Sequence, residues 1–501
     1  MKLLSKYIVP ILLLSCSITS CKKYLDVIPA GKQILTTVDD YNKLLNYQSL
    51  NSFNSADVTY LSDQCGLNEI LGLNGLKQGS WSIPSIEYLG MSNLSRIQYN
   101  TSTTSDTYNF PYKIISQCNL IISNAGTMTG DEKKKKQLLA EAKILRAYCH
   151  FILVNVYAKA YDAATAQNDN GVVIEKEFNI ESAPGPSTVQ QVYDYIESDV
   201  KDAIPDLELD HPQENAFHPS KAAAYGLLAK LYLFKGQIPE SKVAAVQALK
   251  LNNYIYDLVN HYTVMNQLDN VDYSLQGSGN ENLYFAATSS IDIDATVISR
   301  EFYNSFDATR DVRKLSFFNT TAVAVGAGSG MAAYVLKVAG TAASATGTLV
   351  ATGRFYYNAN GIKTTDVYLM LAECCARQGN ADSAALLVDQ IRTKRMLPGF
   401  TTAASEMAAV SGDKKIAAVK MVLEERRKEL LFGFNRFMDQ KRLGKEPDYA
   451  ITVTRVFPYA DKTIAPQTYT IEPNSPLYIA PFPKGILTFN PLMKQNCTDA
   501  P

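Results

Sequence analysis

The residues most able to do chemistry near neutral pH are four histidines: His150, His211, His218 and His261. None belongs to an H-E-x-x-H helix, and no C-x-x-C or Cys/His spacing suggests zinc. No serine lies in G-x-S-x-G. Glu424 and Glu425 are paired carboxylates, the residue type that acid/base catalysis needs. Being adjacent, they point apart on a helix and read as surface charge. No carboxylate pair is placed for glycosidic cleavage. The sequence therefore names no catalytic residue, no metal ligand and no cofactor. A hydrolase stays open only through carboxylates brought together from distant positions.

Cysteines carry a different chemistry. Lys2 and Lys6 precede an apolar run, Tyr7–Leu14, that is too short to cross a bilayer. Small residues and Cys21 follow. Ile18-Thr19-Ser20-Cys21 resembles a bacterial lipobox, in which the cysteine becomes the lipidated first residue. Leu13-Leu14-Ser15-Cys16 fits more loosely, and an ordinary secretory signal is the alternative. The expectation is a signal peptide over 1–20 and lipidation at Cys21. Cys65, Cys118, Cys149, Cys374, Cys375 and Cys497 are scattered through a large chain and need form no disulfide framework.

The elements that must position any site are helices. Ser220–Asn252 reads as two helices joined by a turn, with Leu228, Leu231 and Tyr232 on one apolar face. Gly236 stops the first helix and Pro239 opens the second. Val243, Val246, Ala248 and Leu249 are expected to point inward. Ala229, Ser241, Ala245 and Ala248 are small where two helices must approach. This is the grammar of a tetratricopeptide hairpin, with its period of ~34 residues. Thr364–Lys394 repeats it in constant register. Leu371, Ala372, Cys375, Gly379, Ala384, Val388 and Ile391 stand where Leu228, Ala229, Tyr232, Gly236, Ser241, Ala245 and Ala248 stand.

Other helices are expected over Thr37–Leu45, about Tyr112–Ala125, Asp131–Tyr161, Ser187 to about Ile204, and Asp413–Gly444. His150 reads as a core residue and Lys133–Lys136 as a solvated face. Residues 57–110 and 253–320 look irregular, with Glu281–Thr288 as a strand; residues 321–353 look like loop or a small hairpin. The final ~55 residues are rich in Pro and aromatics and should wrap the helices. The fold class is mainly α: a tetratricopeptide-like helical-repeat scaffold with long irregular loop insertions and a few short strands. The expected division is 21–130 loop-rich, 131–252 helical repeats, 253–362 loop-rich insertion, 363–444 helical repeats and 445–501 extended wrap, all one domain. The 501 residues carry a net charge of −1 and no basic groove interleaved with aromatics, which argues against nucleic acid.

Several stretches together resemble the SusD/RagB family of Bacteroidetes outer-membrane lipoproteins. Cys21-Lys22-Lys23-Tyr24-Leu25-Asp26 and Pro29 resemble its mature start. Glu141-Ala142-Lys143 with Leu145-Arg146-Ala147 resembles its E-A-x-x-L-R-A helix. Asp366–Glu373 resembles D-V-x-L-M-x-A-E. Glu425–Leu430 with Arg436, Asp439, Arg442 and Gly444 resembles E-R-R-x-E-L followed by R-W-x-D-x-x-R. Pro481-Phe482-Pro483, Asn490-Pro491 and Gln495-Asn496 resemble the closing motif. Gly433, Phe434 and Phe437 depart from the usual Glu, Gly and Trp, and Cys497 replaces a proline.

The resemblance implies a lipid-anchored protein of the cell outer membrane, facing the exterior in the family's manner. It implies a SusC-like TonB-dependent transporter as partner and a captured glycan, or in some members a peptide, as ligand. No catalysis is implied. Segments 57–110 and 283–320 correspond to the family's ligand-binding insertions. Sugar rings present apolar C–H faces, so aromatic platforms with polar neighbours are the expected chemistry. Trp81, Tyr88, Tyr99 and Tyr303 are the candidate stacking surfaces; Asp63, Asn68 and Arg96 are the candidate hydrogen-bond partners. Each aromatic could instead pin its loop to the core. A tetratricopeptide-type adaptor that binds only protein is the competing reading.

Overall fold

Capping residues set the helix starts. Thr37, Ser82, Ser105, Asp131, Thr188, Ser220 and Asp413 each accept a backbone N–H with the side-chain oxygen. The computed structural model describes residues 35–46, 52–67, 69–99, 102–179, 181–207, 216–265, 280–288, 297–319, 334–336, 341–343, 349–351, 358–458 and 463–496. Its principal helices are α1 (Val38–Leu45), α2 (Glu69–Gln78), α3 (Ile83–Tyr88), α4 (Arg96–Tyr99), α5 (Asp106–Ser123), α6 (Glu132–Tyr157), α7 (Val189–Ala203), α8 (Lys221–Phe234), α9 (Ile238–Leu251), α10 (Arg300–Ser305), α11 (Thr364–Arg377), α12 (Ala381–Arg392), α13 (Lys414–Glu429), α14 (Asn435–Leu443) and α15 (Lys484–Phe489). Four strands matter here: β1 (Asn282–Tyr284), β2 (Ile362–Lys363), β3 (Val453–Phe457) and β4 (Gln467–Ile471).

The helices stack in sequence order. α5 packs on α6, α6 on α7, α8 on α9, α9 on α11, and α11 on both α12 and α13. The small-residue seam is as expected: Ala229, Ser241, Ala245 and Ala248 are fully buried, and Ser241 Oγ donates to Ala229 O at 2.8 Å. Gly236 and Gly379 end their helices at φ +73° and +84°, the left-handed region where glycine carries no Cβ penalty. Val243 departs from expectation. It is 63% exposed, because α9 turns its Ser241–Ala244–Ala245–Ala248 stripe onto α8 and leaves Val243 on the far side. Val246 and Leu249 are half-buried against the core. β1 and β2 pair antiparallel, β3 and β4 form a hairpin, and Thr341–Ala343 pairs with Leu349–Ala351 as a second small hairpin.

Three further expectations change. Segment 57–110 is not plain loop; it folds into the short helices α2, α3 and α4. The stretch Asp413–Gly444 is two helices, broken where Phe432 and Gly433 take φ +58° and +62°. Gly433 packs so closely that a Cβ would lie 2.2 Å from Asn360 Oδ1, and Phe432 N–H donates to Gln64 Oε1. Glu425 is not surface charge. It is buried, accepts from Arg392 Nε at 2.9 Å and pairs with Arg313 at 2.8 Å.

The family-like motifs meet in the interior. Arg426 bonds Asp366 at 2.9 Å and Asp439 at 3.1 Å, and Arg442 grips Glu373 at 2.8 and 2.7 Å. Burial pushes the Glu373 carboxyl up, but Arg442 and Arg377 outweigh it and bring it to about 2. Arg146 grips Asp199 of α7 at 2.8 Å through two bonds. Such pairs fix geometry more than they add net stability, yet losing one partner is costly. The final segment wraps α6: Ala480 N–H donates to Val156 O, and Asn496 Nδ2 to Tyr157 O. His150 is fully buried with Nδ1 on Arg146 O. Among the described residues, no helix is long and apolar enough to cross a membrane.

Candidate functional site

A cleft of about 640 Å³ opens where the two loop-rich segments meet the helical scaffold. Asp63 comes from the first segment and Glu301 of α10 from the second. Lys420, Glu424 and Arg427 present one face of α13, and Pro447–Arg455 closes the remaining side. Positions 420, 424 and 427 share that face because they are four and three residues apart.

Arg427 organises the floor. It pairs with Glu301 through Nη1 at 3.1 Å and through Nη2, and its Nε lies 3.1 Å from Asp63 Oδ2. Arg436 grips the same Asp63 carboxylate at 2.7 and 2.6 Å. Burial pushes the Asp63 carboxyl up; Arg436 and Arg427 outweigh it and hold it below the usual carboxylate range. A carboxylate held ionised in this way is no proton donor. Ser299 Oγ donates to Asp63 O at 2.7 Å, which ties the second segment to the first. The walls carry exposed Lys420 and half-exposed Glu424, with Glu301 exposed along most of its side chain. Donors and acceptors of both kinds suit a hydroxylated, uncharged ligand.

The expected binding residues divide by burial. Asp63 lines the cleft, but its oxygens are taken by two guanidiniums. Arg96 is fully buried and spends its donors on Glu87 at 3.1 Å and on the carbonyls of Leu477 (3.1 Å) and Ile479 (2.6 Å). Tyr88 is buried beneath Arg455, whose guanidinium lies 4.1 Å from the ring, and meets Phe457 edge-on. In all three the polar groups face protein partners that pin the loops, and of the three only Asp63 reaches the cleft. Trp81 is half-buried on the cluster of Tyr60, Leu67, Tyr88, Leu89 and Phe457. Its ring lies against Gly75, where a Cβ would come within 2.2 Å. Tyr99 is half-buried. Tyr303 is half-buried, with Lys314 Nζ 4.3 Å from its ring centre. Asn68 and Cys21 lie outside the described residues.

The β3–β4 hairpin links the cleft to the Trp81 cluster: Val453–Arg455 line the first, and Phe457 and Tyr469 pack in the second. Glu301, Lys420, Glu424 and Arg427 line the cleft but were not among the candidate binding residues. The available signal was the 420/424/427 spacing on one helix face. Among the described residues, no group of three or more His, Cys, Asp or Glu is gathered to hold a metal ion.

Family comparison agrees with this architecture. Residues 23–233 match the SusD-like family described as "Starch-binding associating with outer membrane", and residues 348–498 match the SusD family. The chain belongs to the SusD/RagB family. It is 27% identical over 239 residues to SusD-like protein P2 of Formosa agariphila, a match that spans 42% of this chain and 44% of that protein. Less than half the length of that relative is therefore covered. A SusD superfamily protein from Bacteroides thetaiotaomicron matches with a TM-score of 0.68 at 20% identity, over 92% of this chain and 99% of the other. A SusD-like carbohydrate binding protein from Bacteroides vulgatus gives 0.62 at 17%, over 93% and 98%. At these identities the likeness speaks to the fold, which is shared over more than nine-tenths of the chain.

Proposed function

We propose that this SusD-family protein is a surface-exposed outer-membrane lipoprotein that captures a glycan and delivers it to a SusC-like TonB-dependent transporter. In this reading residues 1–20 are a signal peptide, Cys21 carries the lipid, and 21–501 act as one unit. The observation that carries the reading is the polar cleft to which Asp63, Ser299 and Glu301 bring the two loop-rich segments, joined through the β3–β4 hairpin to the cluster that holds the half-buried Trp81. Sugar hydroxyls would bond Glu301, Lys420 and Glu424, and Trp81, Tyr99 and Tyr303 would offer stacking faces. The ligand leaves intact, because the buried carboxylate of the cleft is neutralised by arginines rather than poised as an acid.

Isothermal titration of the full chain with α- and β-linked oligosaccharides tests this. Saturable binding is expected, weakened about tenfold by Trp81→Ala or Glu301→Gln, a loss of ~1.4 kcal/mol each. The sugar should be recovered uncleaved. Absence of binding to every glycan, or unchanged affinity in both variants, would sink the proposal.

A further inference from the structure

A second cavity, of about 470 Å³, shares no lining residue with the cleft. One wall is α5, with Tyr108, Asn109, Tyr112, Ser116 and Asn119. The opposite wall is formed by residues 173–179 and 181–183, and α15 closes one end with Ile486 and Phe489. The frame is built. Tyr112 Oη donates to Val173 O at 2.9 Å, Asn119 Nδ2 to Glu175 O at 3.0 Å, and Asn490 Nδ2 to Pro184 O at 2.8 Å. Phe489 is 84% exposed, the largest exposure of any described large hydrophobic side chain.

The charge of this cavity is one-sided. Glu175, Glu177 and Glu181 line it, and no Lys or Arg does. None of the three carboxylates has a hydrogen bond or ion pair among the described residues. Burial raises the Glu175 carboxyl above its usual range, with no cation beside it to offset the rise. Arg146 backs the wall through Asn119 but is spent on Asp199. Lys176 is exposed and is not part of the lining. The carboxylates are also spread along the wall. They form no cluster able to hold a metal ion, so the complementary cation is an extended organic one. Tyr108, Tyr112, Val173, Ile486 and Phe489 supply apolar surface for its stem. Asn109 and Ser116 lie on one face of α5, where they can meet a peptide backbone. The volume falls within the ~300–1,000 Å³ of small-ligand sites.

From this cavity we infer a second binding site, for the lysine or arginine side chain of an extended peptide: cation against Glu175, Glu177 and Glu181, alkyl stem against Tyr112 and Phe489. The site is independent of the glycan cleft.

The test is titration of the full chain with the blocked tetrapeptide acetyl-Ala-Lys-Leu-Ala-amide, its Nζ-acetylated form, and a glucosamine trimer. One-site binding of the lysine peptide is expected, with at least tenfold loss in E175Q/E177Q/E181Q and several-fold loss in Phe489→Ala. The acetylated peptide should not bind, and affinity should fall from 0.1 to 0.5 M NaCl. No binding, equal binding of the acetylated form, or full affinity in the triple variant overturns the inference. Preference for the glucosamine trimer overturns the peptide assignment. All four substituted residues are at the surface or half-buried, so the variants should keep the parent thermal midpoint. Glycan affinity measured in the same variants should be unchanged, which separates failure here from failure of the cleft reading.

Discussion

Replacing Asp63 with Asn should destabilise the protein far more than an ordinary surface change. Asp63 is 9% exposed, and the arginines it serves, Arg427 and Arg436, are each 5% exposed. Asn keeps the size but removes the charge. Two buried guanidiniums then share the cleft floor, with Arg436 losing its only ion-pair partner among the described residues and Arg427 keeping Glu301 and Glu424. Breaking a buried pair by removing one partner costs ~3–5 kcal/mol, against ~0–1 for a surface pair. We expect the lower part of that range, about 3 kcal/mol, because Arg427 retains partners. Urea unfolding followed by far-UV circular dichroism measures it. The sign with pH follows from the direction of the shift. Asp63 titrates lower folded than unfolded, so its contribution is complete above the unfolded value of ~3.9 and is lost as pH falls through the folded one. The gap between parent and D63N should therefore be constant at neutral pH and narrow below about pH 4. A gap under ~1 kcal/mol, or one that widens with acid, would refute the claim that this carboxylate is an internal anchor.

Other predictions are simpler. Gly433→Ala should cost at least ~1–2 kcal/mol, because it puts a Cβ into a left-handed residue with Asn360 Oδ1 in its path; a thermal melt within a degree of the parent would refute this. Val243→Lys should change stability by less than ~0.5 kcal/mol, whereas Ala245→Leu in the helix seam should cost ~1–3. Equal effects in urea melts would mean that the inward face is misassigned. His218 bridges Glu141 at 2.6 Å and Asn46 at 2.7 Å. Burial lowers its imidazole pKa, but Glu141 outweighs burial and raises it. Its contribution should be complete below ~6.5 and vanish as pH rises through the folded value. His218→Gln should accordingly lose more stability at pH 5.5 than at pH 9, and a pH-independent difference would count against the Glu141 pairing.

What could be read from the sequence was what depends on near neighbours. Apolar spacing, capping residues and the glycines at 236 and 379 act within a turn or two, so the helix pairs and the small-residue seam were legible. Glu425 was not, since its burial depends on Arg313 and Arg392, neither of them within one helix turn. The break at Phe432–Gly433 was hidden for the same reason: it is fixed by Gln64 and Asn360, far away in the chain. The site suffered most. Asp63, Tyr88 and Arg96 have residue types that suit sugar binding and equally suit pinning a loop. Their partners in the fold, the distant Arg436, Arg455 and Leu477, leave no trace in the local pattern. The groups left with free surface around the cleft, Glu301, Lys420 and Glu424, are ordinary charged residues in sequence. They meet in one cleft because Arg427 of α13 pairs with Glu301 of α10, a long-range ion pair that no local pattern records.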